Sequence, residues 1–141
     1  MNIEERKKEM KRASGILLPI FSLPSKYGIG CFSKDAYKFV DMLKEAGQSY
    51  WQILPLGPTG YGDSPYQSFS TFAGNPYFID LKTLIKEGFL TKKECKAYDF
   101  GDQADCIDYE KIYNSRFKAL KKAYDRFCEK GGEDEEDYVK F

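Results

Sequence analysis

The 141-residue sequence contains no histidine. That removes Ser-His-Asp and Cys-His nucleophile systems and most zinc sites, which need an imidazole as base or ligand. It also carries no net charge, with 22 Lys and Arg set against 22 Asp and Glu. Nucleic-acid binding rests on a basic excess that neutralises phosphates, so no nucleic-acid partner is expected. No apolar run approaches the ~20 residues that cross a bilayer, so no membrane partner is expected. The charged segment Met1-Asn2-Ile3-Glu4-Glu5-Arg6-Lys7-Lys8-Glu9 lacks the hydrophobic stretch of a secretion signal. The four cysteines, Cys31, Cys95, Cys106 and Cys128, include no C-x-x-C pair. With no export signal they read as reduced thiols of a cytoplasmic protein. No cofactor or metal set is legible, and any catalysis would have to come from carboxylates, tyrosines or bound partners.

What is present suffices for a core. The chain is 42% apolar and 16% aromatic, which excludes wholesale disorder, and its length suits one ordinary domain of ~100–150 residues. Residues 1–13 form a charged lead without an apolar stripe. The run Ser14-Gly15-Ile16-Leu17-Leu18-Pro19-Ile20-Phe21 predicts a strand covered on both faces, ending near Pro19, which cannot donate to a ladder. A turn-rich loop, Leu23 to Gly30, follows. Ser33 is placed as an N-cap and Asp35 falls in the first turn. Ala36, Phe39, Val40 and Leu43 recur at helical spacing, and Gly47 stops the helix. Ser49 to Pro55 predicts a second buried strand. Strand, helix and strand at this spacing make a βαβ unit with parallel strands.

Downstream, Tyr77-Phe78-Ile79-Asp80-Leu81 predicts a short extended piece, and Leu81, Leu84 and Ile85 a helical turn closed by Gly88. Thr91-Lys92-Lys93-Glu94 is a capping-box pattern. A longer amphipathic helix is predicted over 109–129, with Ile112, Tyr113, Phe117, Leu120, Tyr124 and Phe127 on one core-facing side. The acidic run 133–137 starts a further helix. Two parallel strands leave both sheet edges and much of both faces open, so the pattern reads as part of a larger fold.

Between Gly57 and Pro76 the chain has no helical period and is dense in Gly, Pro, Ser and aromatics. A loop of that length in a compact domain is usually functional, and it follows the C-terminal end of a parallel strand, where α/β folds place ligands. Tyr61 and Tyr66 beside Asp63, Ser64 and Gln67 offer aromatic platforms rimmed by polar groups, which suit the apolar faces and hydroxyl edges of sugar rings. The alternative is a surface loop whose aromatics pack onto the body, with Asp63 stabilising a turn. No G-K-[ST] follows, and Tyr27-Gly28-Ile29-Gly30 is only half a dinucleotide fingerprint.

Several segments together carry a specific likeness. They are Gly15-Ile16-Leu17-Leu18-Pro19, Ser22-Leu23-Pro24-Ser25, the near-continuous stretch from Tyr50-Trp51-Gln52 through Pro58-Thr59-Gly60-Tyr61-Gly62-Asp63-Ser64-Pro65-Tyr66-Gln67, and Gly74-Asn75-Pro76-Tyr77. From about Ser14 to Leu81 the chain resembles the N-terminal region of the 4-alpha-glucanotransferase family, also called amylomaltase or disproportionating enzyme. The resemblance implies an α/β fold, the truncated N-terminal part of a (β/α)8 TIM barrel. Residues 14–81 would be its first βαβ unit with a glucan-binding loop, and 82–141 a helical insertion.

It further implies transfer of an α-1,4-glucan segment to an acceptor sugar by the retaining two-carboxylate mechanism, with an Asp nucleophile and a Glu acid/base. Both catalytic residues are expected beyond Phe141, so the implied roles here are binding ones. Tyr66 matches the tyrosine that stacks on the sugar next to the scissile bond. Ser64 and Asp63 match positions lining the same donor groove, Tyr61 matches an aromatic at a remoter glucan contact, and Gln67 sits beside them. The partners implied are α-1,4-glucans, maltooligosaccharides and the remainder of the barrel. A free-standing glucan-binding module and an inactive truncated product are the other readings.

Overall fold

The apolar run that opens after Ala13 forms β1 (Gly15–Leu17), and the run around the tryptophan forms β2 (Tyr50–Gln52), with α1 (Lys34–Glu45) between them. These elements belong to a computed structural model that describes residues 12–60, 62–101 and 105–140. Most of the charged lead expected over 1–13 therefore lies outside the described residues. The strands pair in parallel, with Gly15 opposite Tyr50, Ile16 opposite Trp51 and Leu17 opposite Gln52. The predicted βαβ unit is present. In α1 the Ser33 hydroxyl accepts the Asp35 N–H, and Gly47 takes φ +68° just past the last turn, a conformation that costs glycine nothing.

The expectation that both strands are buried on two faces is corrected. Ile16, Leu17 and Tyr50 are exposed, as are Tyr37, Val40 and Met42 on α1. An unbroken apolar run marks a strand suited to double cover, but these side chains are left open to solvent. The Phe39 and Trp51 rings pack T-shaped with centroids 4.9 Å apart, and among the described residues β1 and β2 form a sheet of two strands.

The core sits beyond the strand ends and is built mostly from loops and helices. Ile20 lies in a single 3-10 turn (Ile20–Ser22) and joins Leu23 and Ile29 of the following loop, all buried. Tyr77 and Phe78 do not continue an extended strand. They form a 3-10 turn, Pro76–Phe78, because the Asn75 side chain accepts the Tyr77 N–H at 2.9 Å and Pro76 presets a helical φ. Asp80 then caps α2 (Leu81–Lys86), accepting from the N–H groups of Lys82 and Thr83. Thr91 and Glu94 complete the reciprocal capping box of α3 (Lys92–Lys96). The long helix is α4 (Tyr109–Glu129), capped by Asp108, and α5 (Glu136–Lys140) follows.

The core-facing side of α4 keeps Ile112 and Leu120 of the predicted stripe but not its exposed aromatics. Its buried residues are Ile112, Ser115, Arg116, Ala119 and Ala123, while Tyr113, Phe117 and Tyr124 are exposed. Small side chains let the helix approach the body closely, and the flanking aromatics are displaced outward. Arg116 is 1% exposed. Its guanidinium donates to the carbonyls of Tyr27 and Ile79, pinning α4 to two loops at once. No helix among the described residues is long and apolar enough to cross a membrane.

Candidate functional site

The loop after β2 is held by its own backbone. At its base the Asn75 N–H donates to the Leu56 carbonyl at 2.9 Å, and Thr59 and Ser68 form an antiparallel bridge. The Ser68 hydroxyl donates to the Ser70 carbonyl at 2.7 Å. Gly57 is required where the strands of this loop meet. A Cβ there would fall on the Ser68 hydroxyl and within 2.9 Å of the Ser70 carbonyl oxygen.

At the tip, the Asp63 N–H donates to the Gly60 carbonyl at 3.2 Å. Gly62 has φ +94° and Asp63 has φ +54°, the one left-handed non-glycine among the described residues. A second turn follows, with the Gln67 N–H donating to the Ser64 carbonyl at 3.1 Å and the Tyr66 N–H to the Ser64 hydroxyl at 3.4 Å. The backbone under Tyr66 is thus fixed at both sides, while the side chain is 72% exposed. Its ring is not packed into the body. Phe69 and Phe72 on the same loop are also exposed.

Behind the loop, a cleft of about 880 Å³ separates Pro58–Gly60, Gly62 and Asp63 from the first half of α4. Its aromatic lining is Phe69, Tyr77, Tyr109, Tyr113 and Phe117, with Glu110 and Asn114 as polar groups. Tyr77 and Phe117 have ring centroids 5.6 Å apart, and Tyr113 meets the edge of Phe117 at 5.2 Å. Burial, and secondarily the Asp63 carboxylate, raise the pKa values of Tyr77 and Tyr109. Asp63 therefore lends its negative field to the cleft.

Of the residues singled out from sequence, Asp63 lines this cleft, whereas Ser64, Tyr66 and Gln67 belong to the tip of the same loop and are not part of its lining. Tyr61 lies outside the described residues. Asp63 does sit in a turn, but through left-handed backbone and its own N–H. Asp80, the other acid near the loop, is committed to the α2 cap and takes the Cys31 thiol at 3.7 Å. Burial, then the charge of Asp80, push the Cys31 thiol up, in keeping with an inert cysteine.

Sequence reasoning missed the α4 side of the cleft. Tyr109, Tyr113 and Phe117 recur at i, i+4 and i+8. That spacing says they share a face, but not whether the face meets the core or a ligand-sized gap.

The family model described as 4-alpha-glucanotransferase matches residues 18–141. The chain belongs to the 4-alpha-glucanotransferase family. It is 55% identical over 131 residues to the 4-alpha-glucanotransferase of Streptococcus pneumoniae serotype 4, covering 93% of this chain and 26% of that protein. The Clostridium butyricum enzyme is 56% identical over 122 residues, covering 86% of this chain and 24% of that one. Among solved structures, amylomaltase from Streptococcus agalactiae in complex with acarbose superposes with a TM-score of 0.81 at 45% identity. That match covers 92% of this chain and 25% of that one. The chain thus spans about a quarter of the length of the relatives it matches.

Proposed function

We propose that this chain supplies glucan contacts to a 4-alpha-glucanotransferase, which transfers a segment of an α-1,4-glucan to an acceptor sugar. Residues 14–81 are the first βαβ unit of a (β/α)8 barrel, and 82–141 are a helical insertion beside it. The exposed faces of β1, β2 and α1 support this reading, because apolar strands of this kind are normally covered by further strands and helices.

The observation that carries the proposal is the exposed ring of Tyr66 on a backbone fixed by the Ser64 turn. A preset platform of this kind holds a sugar face at little ordering cost. Ser64, Gln67 and Asp63 offer hydrogen-bond partners for the hydroxyl edge, and Tyr61 belongs to a remoter contact on the same glucan. The solved amylomaltase complex with acarbose is in keeping with glucan binding by the family.

Retaining transfer needs two carboxyls ~5–5.5 Å apart on either side of the scissile bond. Asp80 is spent as a helix cap, and the family resemblance implies a nucleophile and an acid/base beyond Phe141. The test is to incubate the pure chain with maltotriose and titrate it with maltoheptaose. Binding of maltoheptaose with no release of glucose supports the proposal. Glucose release would place the acids within these residues and overturn it, as would failure to bind.

A further inference from the structure

We propose that the concavity between the turn around Lys26 and α3 is a binding site for a phosphate monoester carried on a sugar-sized ring. It shares no lining residue with the aromatic cleft, and its volume, about 430 Å³, lies within the ~300–1,000 Å³ of small-molecule sites. The inference does not rest on the glucan reading.

Four lysines line it: Lys26, Lys82, Lys92 and Lys96. Among the described residues the single carboxylate in the lining is Asp99, and it is already engaged. It pairs with Lys111 at 2.9 Å and accepts the Gly101 N–H at 2.9 Å. Lys82 lies 3.4 Å from Asp35, which it shares with Lys38. Lys26, Lys92 and Lys96 have no carboxylate within 4.0 Å among the described residues. In a chain of zero net charge this is a local positive surplus, and a concave wall focuses such a field on an anion.

The residue type narrows the anion. Lysines act as flexible point charges suited to the three oxygens of a phosphate, whereas carboxylate recognition favours the planar fork of arginine, and no arginine among the described residues lines this concavity. Three aromatics, Tyr27, Tyr98 and Phe100, share the rest of the wall with Ile85, Cys95 and Gly101. Tyr27 meets Phe100 edge-on at 5.4 Å, and Tyr98 meets Phe100 at 6.2 Å. An aromatic wall does nothing for a bare inorganic ion, but it suits the apolar face of a ring that carries the charge.

Isothermal titration of the full chain tests this with four probes: glucose 6-phosphate, a phosphate-esterified maltodextrin, inorganic phosphate and glucose. The first two separate a free ester from one borne on a glucan. Binding of either ester, and weakening of that binding by about tenfold on raising salt tenfold, is expected for exposed lysines. The Lys92→Gln/Lys96→Gln double variant should lose about tenfold in ester affinity, and Lys26→Gln, on a separate segment, should lose in the same direction. Maltoheptaose titration of these variants should match the unsubstituted chain, which keeps the outcome distinct from that of the glucan site. Esters binding no tighter than glucose, inorganic phosphate binding as tightly as the esters, or variants with unchanged affinity would each overturn the proposal.

Discussion

The indole Nε1 of Trp51 donates to the carbonyl oxygen of Leu18 at 2.8 Å. One side chain of β2 thereby fixes the chain where it leaves β1, and its ring packs T-shaped with Phe39 of α1, the centroids 4.9 Å apart. The loop that carries Tyr66 begins a few residues after this tie.

Trp51→Phe should keep most of the contact with Phe39 and lose the hydrogen bond to Leu18. Removing such a bond typically costs about 1 kcal/mol. Urea unfolding of the chain should show a midpoint lowered accordingly, with the slope unchanged.

Arg116 crosses from α4 to the carbonyls of Tyr27 and Ile79 from a buried position, and burial lowers its pKa against the opposing pull of Cys31 and Asp80. Arg116→Lys cannot span both carbonyls and leaves a buried ammonium with fewer partners. A loss of about 2–3 kcal/mol in unfolding free energy is expected, and Arg116→Ala should lose at least as much.

Glu94 receives Arg126 Nη1 at 2.8 Å and Lys122 at 3.0 Å while closing the α3 capping box. Hydrogen bonds from Arg126, then Thr91 and Lys122, hold its carboxyl well below the usual glutamate value of 4.5. A depressed folded pKa means that the stabilisation is complete above about 4.5 and is lost as acid drives the carboxylate to bind a proton. Thermal midpoints by circular dichroism should therefore fall as pH drops below about 4.5. Glu94→Gln should flatten that fall and lower stability at neutral pH.

Asp63 combines a left-handed backbone with a carboxylate that raises the pKa values of Tyr77 and Tyr109. Asp63→Gly should leave stability within about 1 kcal/mol, whereas Asp63→Val should cost about 2 kcal/mol because a β-branched side chain resists positive φ. Asp63→Asn keeps the turn and removes the charge, so tyrosinate absorbance should rise at lower pH than in the unsubstituted chain.

The parallel βαβ unit, the caps at Ser33 and Thr91 and the stop at Gly47 were legible in the sequence because each depends on neighbours a few residues apart. The 3-10 turn at Pro76–Phe78 was misread as extended because the apolar run Tyr77-Phe78-Ile79 outweighed the Asn75-Pro76 turn signal. The face of α4 was legible at Ile112 and Leu120 but not at its aromatics, for a different reason. Large aromatics set the apparent stripe, but close packing selected Ser115, Ala119 and Ala123, and the buried charge of Arg116 depends on partners far along the chain. At the loop, residue types pointed to Tyr66 and Asp63. The cleft required α4 to be brought opposite, which no local pattern encodes.

The most direct measurement is amide chemical-shift mapping of the chain during titration with maltoheptaose, repeated on Tyr66→Ala. The account expects shifts at Asp63, Ser64, Tyr66 and Gln67, extending to Tyr109 and Tyr113, with Tyr66→Ala weakening affinity by about tenfold, or about 1.4 kcal/mol. Shifts confined to β1, β2 and α1, or unchanged affinity in Tyr66→Ala, would contradict it.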